Sequence, residues 1–280
     1  MKNQKVIACL TLLASLLFTA GLQAQSYRIL LTNDDGIESP LLAVLKEELA
    51  VLPGVEVVVS APDVNQSGSS NSSVGSPLTV DRVEKNGQLF GYAVHGRPAD
   101  AVGFGLSVLG AEQPFDLVVS GINNGSNVGD VSHGSGTVGA AMRAQMLGVP
   151  SIAASQTNDE MDTRASARFV ARLVQRYQRD GAPEGIVLSV NYPAGEIKGV
   201  AIRPMGDLYL TRDYRVREQG QNSTTYNAPY QINQAQDSNS DTWAYQNGYI
   251  TVTPLRFDWT DQPMLEALGG WSLALPAVSR

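Results

Sequence analysis

Residues 27–36 read Tyr-Arg-Ile-Leu-Leu-Thr-Asn-Asp-Asp-Gly, an apolar run that ends in two adjacent carboxylates and a glycine. The run reads as a buried strand that delivers Asp34 and Asp35 to one of its ends. Neighbouring carboxylates repel, so a fold tolerates them best where solvent, a cation or an array of donors lies between them. At the carboxyl end of a parallel strand, where open α/β sheets bind their ligands, a hard divalent cation is the obvious counter-charge. As local structure alone, Asp35-Gly36 is a polar turn. The choice depends on what else in the chain reaches that end.

Beyond Gly36, Ser39 can cap a helix with Pro40 at its first position, and Leu41, Leu42, Leu45 and Leu49 form one apolar face. A strand over 55–60 opens into a polar loop from Ala61 to Ser73. Residues 89–94 suggest another strand and 100–109 a short helix weakened by Gly103 and Gly105. The strand at 116–120 empties into Gly121-Ile122-Asn123-Asn124-Gly125 and onward to Asp130. From Gly134 a small-residue loop feeds a helix over 137–147, whose free amides suit an anion. A strand at 150–154, a helix striped by Phe169, Val170, Leu173, Val174 and Tyr177, and a strand at 186–190 continue the alternation. The pattern implies an α/β fold, a Rossmann-like, mostly parallel, doubly wound sheet. Its polar strand ends are expected to share one edge.

Residues 1–24 combine a basic start at Lys2 and Lys5, an apolar run from Val6 to Ala20 and a small-residue end, the pattern of a cleavable signal peptide. That run is short for a membrane span, and nothing later replaces it. A periplasmic or secreted protein beginning near Gln25 is expected, with no membrane attachment after cleavage. Cys9 is the only cysteine, so the mature chain has no disulfide, thiol nucleophile or cysteine metal ligand. The formal net charge of −7, more negative once Lys2 and Lys5 are removed, argues against a nucleic-acid polymer bound through a basic face. Residues 25–204 are expected to form the catalytic core. Residues 205–280 read as a C-terminal β-hairpin or arm with a closing segment, rich in Gln, Asn, Ser and Thr between Glu218 and Asp241, with Tyr226 and Tyr230 among them. Residues 248–254 alternate as a half-buried strand.

Other chemistries find little support. His95 and His133 are the two histidines, and neither sits in a zinc-protease motif. A Gly-x-Ser-x-Gly elbow and a phosphate-binding Gly-Lys-Ser/Thr loop are both missing from the sequence. Gly134, Gly136 and Gly139 spell a dinucleotide fingerprint with Asp159 beyond them, but a long polar loop separates it from the strand ending at Ser120. A non-catalytic ligand-binding module would use the same anion loop but has little need of paired carboxylates.

The ordered set Thr32-Asn33-Asp34-Asp35-Gly36-Ile37, Ala61-Pro62-Asp63 through Ser67-Gly68 to Asn71-Ser72, Gly96-Arg97-Pro98-Ala99-Asp100, Ser120-Gly121-Ile122-Asn123 and Ser135-Gly136-Thr137-Val138 resembles the SurE-type survival-protein phosphatases, metal-dependent 5'/3'-nucleotidases. Ser240-Asp241 and Gly248-Tyr249 to Thr253-Pro254 extend the resemblance over nearly the whole mature chain. It implies Asp34, Asp35, Ser67 and Asn123 as ligands of one Mg²⁺ or Mn²⁺ per subunit, all oxygen donors suited to a hard cation. It further implies that Ser135, Gly136 and Thr137 receive phosphate, with Asn33 and Asn124 close enough to add hydrogen bonds. Asp34 and Asp35 become the catalytic pair, Asp34 orienting or deprotonating the attacking water. The implied substrate is a small phosphate ester, a nucleoside 5'- and possibly 3'-monophosphate, with a broader acid phosphatase or exopolyphosphatase as the alternative. A homodimer or homotetramer held by an exchanged arm over 204–258 is implied as well. The chain departs from the family pattern at Val64-Asn65-Gln66, where many members carry a basic residue, and at Arg143, where they favour an acid.

Overall fold

A computed structural model describes residues 26–158 and 160–271. The signal peptide expected at 1–24 and Asp159 lie outside the described residues.

The chain runs β1 (Tyr27–Thr32), α1 (Pro40–Ala50), β2 (Val55–Pro62), β3 (Val80–Lys85), β4 (Gln88–Val94), α2 (Pro98–Phe104) with a π-helical continuation over Gly105–Leu109, and β5 (Leu117–Asn124). There follow α3 (Val131–Gly134), α4 (Gly136–Met146), β6 (Ser151–Gln156), α5 (Thr163–Asp180), β7 (Val187–Tyr192), β8 (Gly199–Ile202), β9 (Leu210–Arg212), β10 (Arg215–Gln219), β11 (Thr224–Asn227) and β12 (Tyr230–Ile232). The described chain closes with α6 (Asp241–Gln246), β13 (Tyr249–Leu255) and α7 (Gln262–Gly269).

Nine strands make one sheet in the order β3-β4-β2-β1-β5-β6-β7-β13-β8. Strands β4, β2, β1, β5, β6 and β7 are mutually parallel, while β3 and β13 run antiparallel to β4 and β7. The first strands wind outward from β1 to one side, and the chain then returns to place β5 on the other side of β1. Strand order therefore reverses between β1 and β5, the position at which doubly wound sheets hold ligands outside their carboxyl ends.

Period-two alternation gives each strand two apolar faces. Ile29 and Leu31 of β1, Leu117 and Val119 of β5, and Ile152 and Ala154 of β6 pack with Leu41, Leu42, Leu45 and Leu49 of α1 and with Phe169, Val170 and Val174 of α5. Leu30 and Val118, one residue out of step, pack on the opposite face with Val102, Ala140 and Ala144. A continuous apolar run is what a strand covered by helices on both faces requires.

Three elements depart most from the sequence reading. Strand β3 has a half-exposed, charged pattern that carries little apolar signal. Helix α2 starts earlier than expected, at Pro98, where the Asp100 carboxylate reaches back to accept from the Arg97 amide at 2.9 Å and satisfies a donor at the helix start. Gly105, which weakened the helix expectation, serves packing: a Cβ there would lie 2.6 Å from Leu30 Cδ2. Strand β5 does not stop at Ser120 but continues to Asn124 through a register shift against β6, where Ser120 faces Ala153 and Asn123 faces Ser155. Such bulges re-aim side chains beside functional sites.

The expected boundary at residue 204 does not divide the molecule, because β13 lies inside the central sheet between β7 and β8. The excursion before it is anchored at its root. Asp241, buried at the start of α6, accepts from the amides of Gly206 at 2.7 Å and Gly129 at 3.2 Å. Asp130 likewise accepts from the Tyr209 amide at 2.6 Å. Beyond the root, β10–β11 and β9–β12 form two antiparallel ribbons outside the main sheet.

Candidate metal and phosphate site

The acidic pair leaves β1 at the point of strand reversal. Asp34 is 2% exposed, and its carboxylate accepts the Thr137 hydroxyl across 103 residues of sequence. Burial, partly offset by the Thr137 hydroxyl and reinforced by the charge on Asp35, pushes the Asp34 carboxyl up to about 6. Gly136 explains how a helix can approach so closely. A Cβ there would stand 2.8 Å from the Asp34 Cβ and 2.8 Å from the Ser69 hydroxyl, so only glycine admits the contact.

Asp35 is held from two sides. The Asn65 side-chain amide donates to Oδ1 at 3.1 Å, and the Asn124 backbone amide donates to Oδ2 at 3.0 Å. The Asn65 carbonyl oxygen in turn accepts from the Ser67 amide at 3.0 Å, folding the loop after β2 onto the pair. Ser67 is itself exposed, whereas Asn123 is 7% exposed and its amide donates to the Gly125 carbonyl. Asn33 is fully buried; its amide donates to the Gly36 carbonyl at 2.9 Å, while its Oδ1 has no hydrogen-bond partner among the described residues.

Helix α4 begins against this cluster. Ser135 caps it, its hydroxyl accepting from the Val138 amide at 3.1 Å. The cap uses a lone pair of the Ser135 hydroxyl and leaves its O–H able to donate, whereas the Thr137 proton goes to Asp34, so the Ser135 hydroxyl and the amides at the helix start are the groups left to meet an anion. Asn124 is exposed, and its backbone amide touches Asp35. Thus β1, the β2 loop, the end of β5 and the start of α4 bring Asn33, Asp34, Asp35, Ser67, Asn123, Asn124, Ser135, Gly136 and Thr137 to one edge of the sheet.

The donor set fits a divalent cation. No Lys, Arg or His among the described residues pairs with Asp34. A buried carboxylate beside a second one, without a cation, is costly unless a positive charge is supplied. Among the described residues no three His, Cys, Asp or Glu side chains are placed so that they could hold a metal ion together, so the ligands available here are two carboxylates supplemented by neutral oxygens. Mg²⁺ is commonly bound by one or two carboxylates while keeping several waters, which matches this donor set, whereas zinc is held mostly by nitrogen and sulfur.

The family profile described as Survival protein SurE matches residues 29–212, a span that includes every one of these groups. The chain belongs to the SurE family. It is 37% identical to the 5'-nucleotidase SurE of Syntrophobacter fumaroxidans over 255 residues, covering 88% of this chain and 100% of that protein. It is 38% identical to the 5'-nucleotidase SurE of Geotalea uraniireducens over 258 residues, covering 88% of this chain and 99% of the other. The crystal structure of the Aquifex aeolicus SurE protein superposes with a TM-score of 0.75 at 34% identity, covering 86% of this chain and 98% of that one.

In this SurE chain two of the three glycines of the apparent dinucleotide fingerprint have other work. Gly136 fits against Asp34, and Gly139 lies against the Ser70 carbonyl. Arg143 extends from α4 toward the same polar loop, donating to the Asn71 carbonyl at 3.5 Å. Asn65 was not among the site residues expected from sequence. Its signal was present: an Asx two residues before a loop serine commonly bonds the backbone two residues on. What sequence could not show was that its other end reaches Asp35.

Proposed function

We propose that the protein is an exported, metal-dependent phosphomonoesterase that hydrolyses nucleoside 5'-monophosphates to nucleoside and phosphate. The observation that carries this reading is the Asp34 carboxylate, buried beside Asp35 at the start of α4, with no cationic side chain among the described residues paired to Asp34. The name 5'-nucleotidase borne by its relatives supports the substrate class. Asp34, Asp35, Ser67 and Asn123 would hold one Mg²⁺ or Mn²⁺, which when bound supplies Lewis-acid stabilisation of the phosphoryl charge.

The chain's own groups supply the rest. The Ser135 hydroxyl, the Gly136 amide and the positive end of α4, which Thr137 holds against Asp34, receive the phosphoryl oxygens, with Asn33 and Asn124 adding hydrogen bonds. A water attacks phosphorus opposite the ester oxygen. The new O–P bond forms as the ester P–O bond breaks, the water's proton passes to Asp34, and the departing nucleoside oxygen takes a proton from solvent. Because the grip is on phosphate, the 3'-monophosphates are assigned to the same site.

Two further parts of the reading stand on sequence and surface. Export rests on the 1–24 pattern, and amino-terminal sequencing of the native protein should begin near Gln25; an intact Met1 in a cytosolic fraction overturns it. Assembly into a homodimer or homotetramer rests on the exposed Tyr214, Val216, Tyr226, Tyr230 and Ile232 of the excursion.

The deciding assay is release of phosphate from AMP. EDTA should abolish it and Mg²⁺ or Mn²⁺ should restore it. Undiminished hydrolysis in EDTA overturns the metal dependence. NADH oxidation without phosphate release, or ligand binding without turnover, overturns the phosphatase reading itself.

A further inference from the structure

We propose that a cleft beside the first turns of α4 binds the base of the nucleotide, as a stacking site for a planar heterocycle; this rests on the nucleotidase reading above. The cleft has a volume of about 410 Å³ and lies between the first turns of α4 and the segment that follows β13. Its walls are Met142, Met205, Phe257 and Trp259, with His133 and Arg256 as the polar edge. Ligand sites of roughly 300–1,000 Å³ with apolar walls and a few placed polar groups are the usual form for small molecules.

Three observations select a nucleobase as the occupant. The first is continuity with the catalytic edge. Gly136 and Thr137 face Asp34, the next two residues, Val138 and Gly139, line the cleft, and Met142 lies deeper within it. Five residues of helix from Thr137 to Met142 advance about 7.5 Å, a step that a ribose between phosphate and base can span. The polar loop forms the shared wall: Ser69 stands against Gly136 and the Ser70 carbonyl against Gly139. It is pinned there by the Ser70 amide donating to the Gly134 carbonyl at 3.1 Å and the Ser70 hydroxyl donating to the His133 carbonyl at 2.8 Å.

The second is the aromatic surface. His133 and Trp259 meet edge to face, with centroids 5.8 Å apart at 87°. That contact orients the indole while leaving Trp259 76% exposed. An oriented aromatic face lining a cleft is a stacking platform, and bases stack on such faces whatever their sequence identity. The third is charge. On a chain with a formal net charge of −7, Arg256 places a guanidinium at the cleft, whose donors match the ring nitrogens and carbonyls of a base.

The test compares AMP with ribose 5-phosphate, which keeps the ester and lacks the base. In Trp259→Ala the KM for AMP should rise tenfold or more with kcat nearly unchanged, the signature of lost uniform binding, while ribose 5-phosphate kinetics stay as in the parent. Trp259→Phe, which keeps a stacking face, should restore most of the AMP affinity. Binding is read separately from turnover in Trp243→Phe/Trp271→Phe, where Trp259 is the remaining tryptophan: adenosine in EDTA should quench its fluorescence saturably. If adenosine quenches but neither ester is hydrolysed, the cleft stands and the nucleotidase reading falls. If AMP is hydrolysed and Trp259→Ala changes AMP and ribose 5-phosphate alike, or adenosine leaves the fluorescence unchanged, the assignment is overturned. It is equally overturned if Trp259→Ala converts an oligomer to a monomer in sedimentation without altering the preference for AMP, since Trp259 then contacts a second copy.

Discussion

The edge formed by β1, β5 and α4 and the excursion from Pro204 to Ser240 draw on similar residues, Asn, Ser, Thr and Asp, and use them in opposite ways. At the edge, Asn33, Asp34, Asn123 and Thr137 are buried, and the bonds that hold the acids come from far along the chain: Thr137 to Asp34 and the Asn124 amide to Asp35. In the excursion, β10 is exposed throughout, and many of the side-chain bonds are local, as between Arg215 and Asp213 or between the Asn239 amide and Asp237. A polar residue becomes part of a specific site when packed strands remove its water and leave it a fixed set of partners. Without that enclosure the same composition makes a solvated ribbon. The exposed rings of Tyr214, Tyr226 and Tyr230 are then surface for another molecule.

The contrast is broken most severely by Asp34→Asn. Size is retained and one charge is lost, so phosphate release in Mg²⁺ should fall on the order of a hundredfold or more while circular dichroism stays native. Near-parent activity would mean that the buried acid is structural.

The same variant sharpens the comparison through pH. In metal-free protein the Asp34 carboxyl is raised from 3.8 to about 6, so the neutral form is the one the fold prefers. The stability it contributes is present below 3.8 and is lost as pH rises toward about 6, up to on the order of 3 kcal/mol. Urea denaturation in EDTA should therefore find Asp34→Asn more stable than the parent at pH 7 and similar to it near pH 3.5. Equal stability at both pH values would remove the desolvation argument.

Gly136→Ala inserts a Cβ 2.8 Å from both the Asp34 Cβ and the Ser69 hydroxyl. Overpacking of this kind costs about 1–3 kcal/mol, so the midpoint of urea denaturation should fall and activity with it. A neutral outcome would show that the approach of α4 to the acids is loose.

The smallest effect belongs to the excursion. Tyr226→Ser on exposed β11 should change the stability of the isolated subunit by less than about 0.5 kcal/mol. Replacing β10 and β11 with a short linker should leave AMP hydrolysis per folded subunit intact while shifting sedimentation toward the monomer. A large loss of stability in either case would place this ribbon in the folded core and erase the distinction between the two regions.

Sequence alone determined the elements whose physics is local or periodic. The apolar run of β1, the leucine face of α1 and the stripe of α5 each show their burial in their own spacing, and the two carboxylates at the end of β1 announce a charged edge. Ordered motifs also singled out the acids, Ser67, Asn123 and the loop at Ser135 as expected site residues. The tertiary structure decided what depends on partners distant in the chain. Strand β3 is paired through its backbone to β4, so its side chains need carry no pattern. Strand β13 is claimed by β7 and β8, which no reading of residues 249–255 could reveal. Gly105 and Gly136 look like helix breakers until Leu30 and Asp34 are seen against them. The clamp of Asn65 on Asp35 likewise joins residues 30 apart. Spacing along a chain records which face a residue shares with its near neighbours; which distant group meets that face is set by how the whole sheet closes its core.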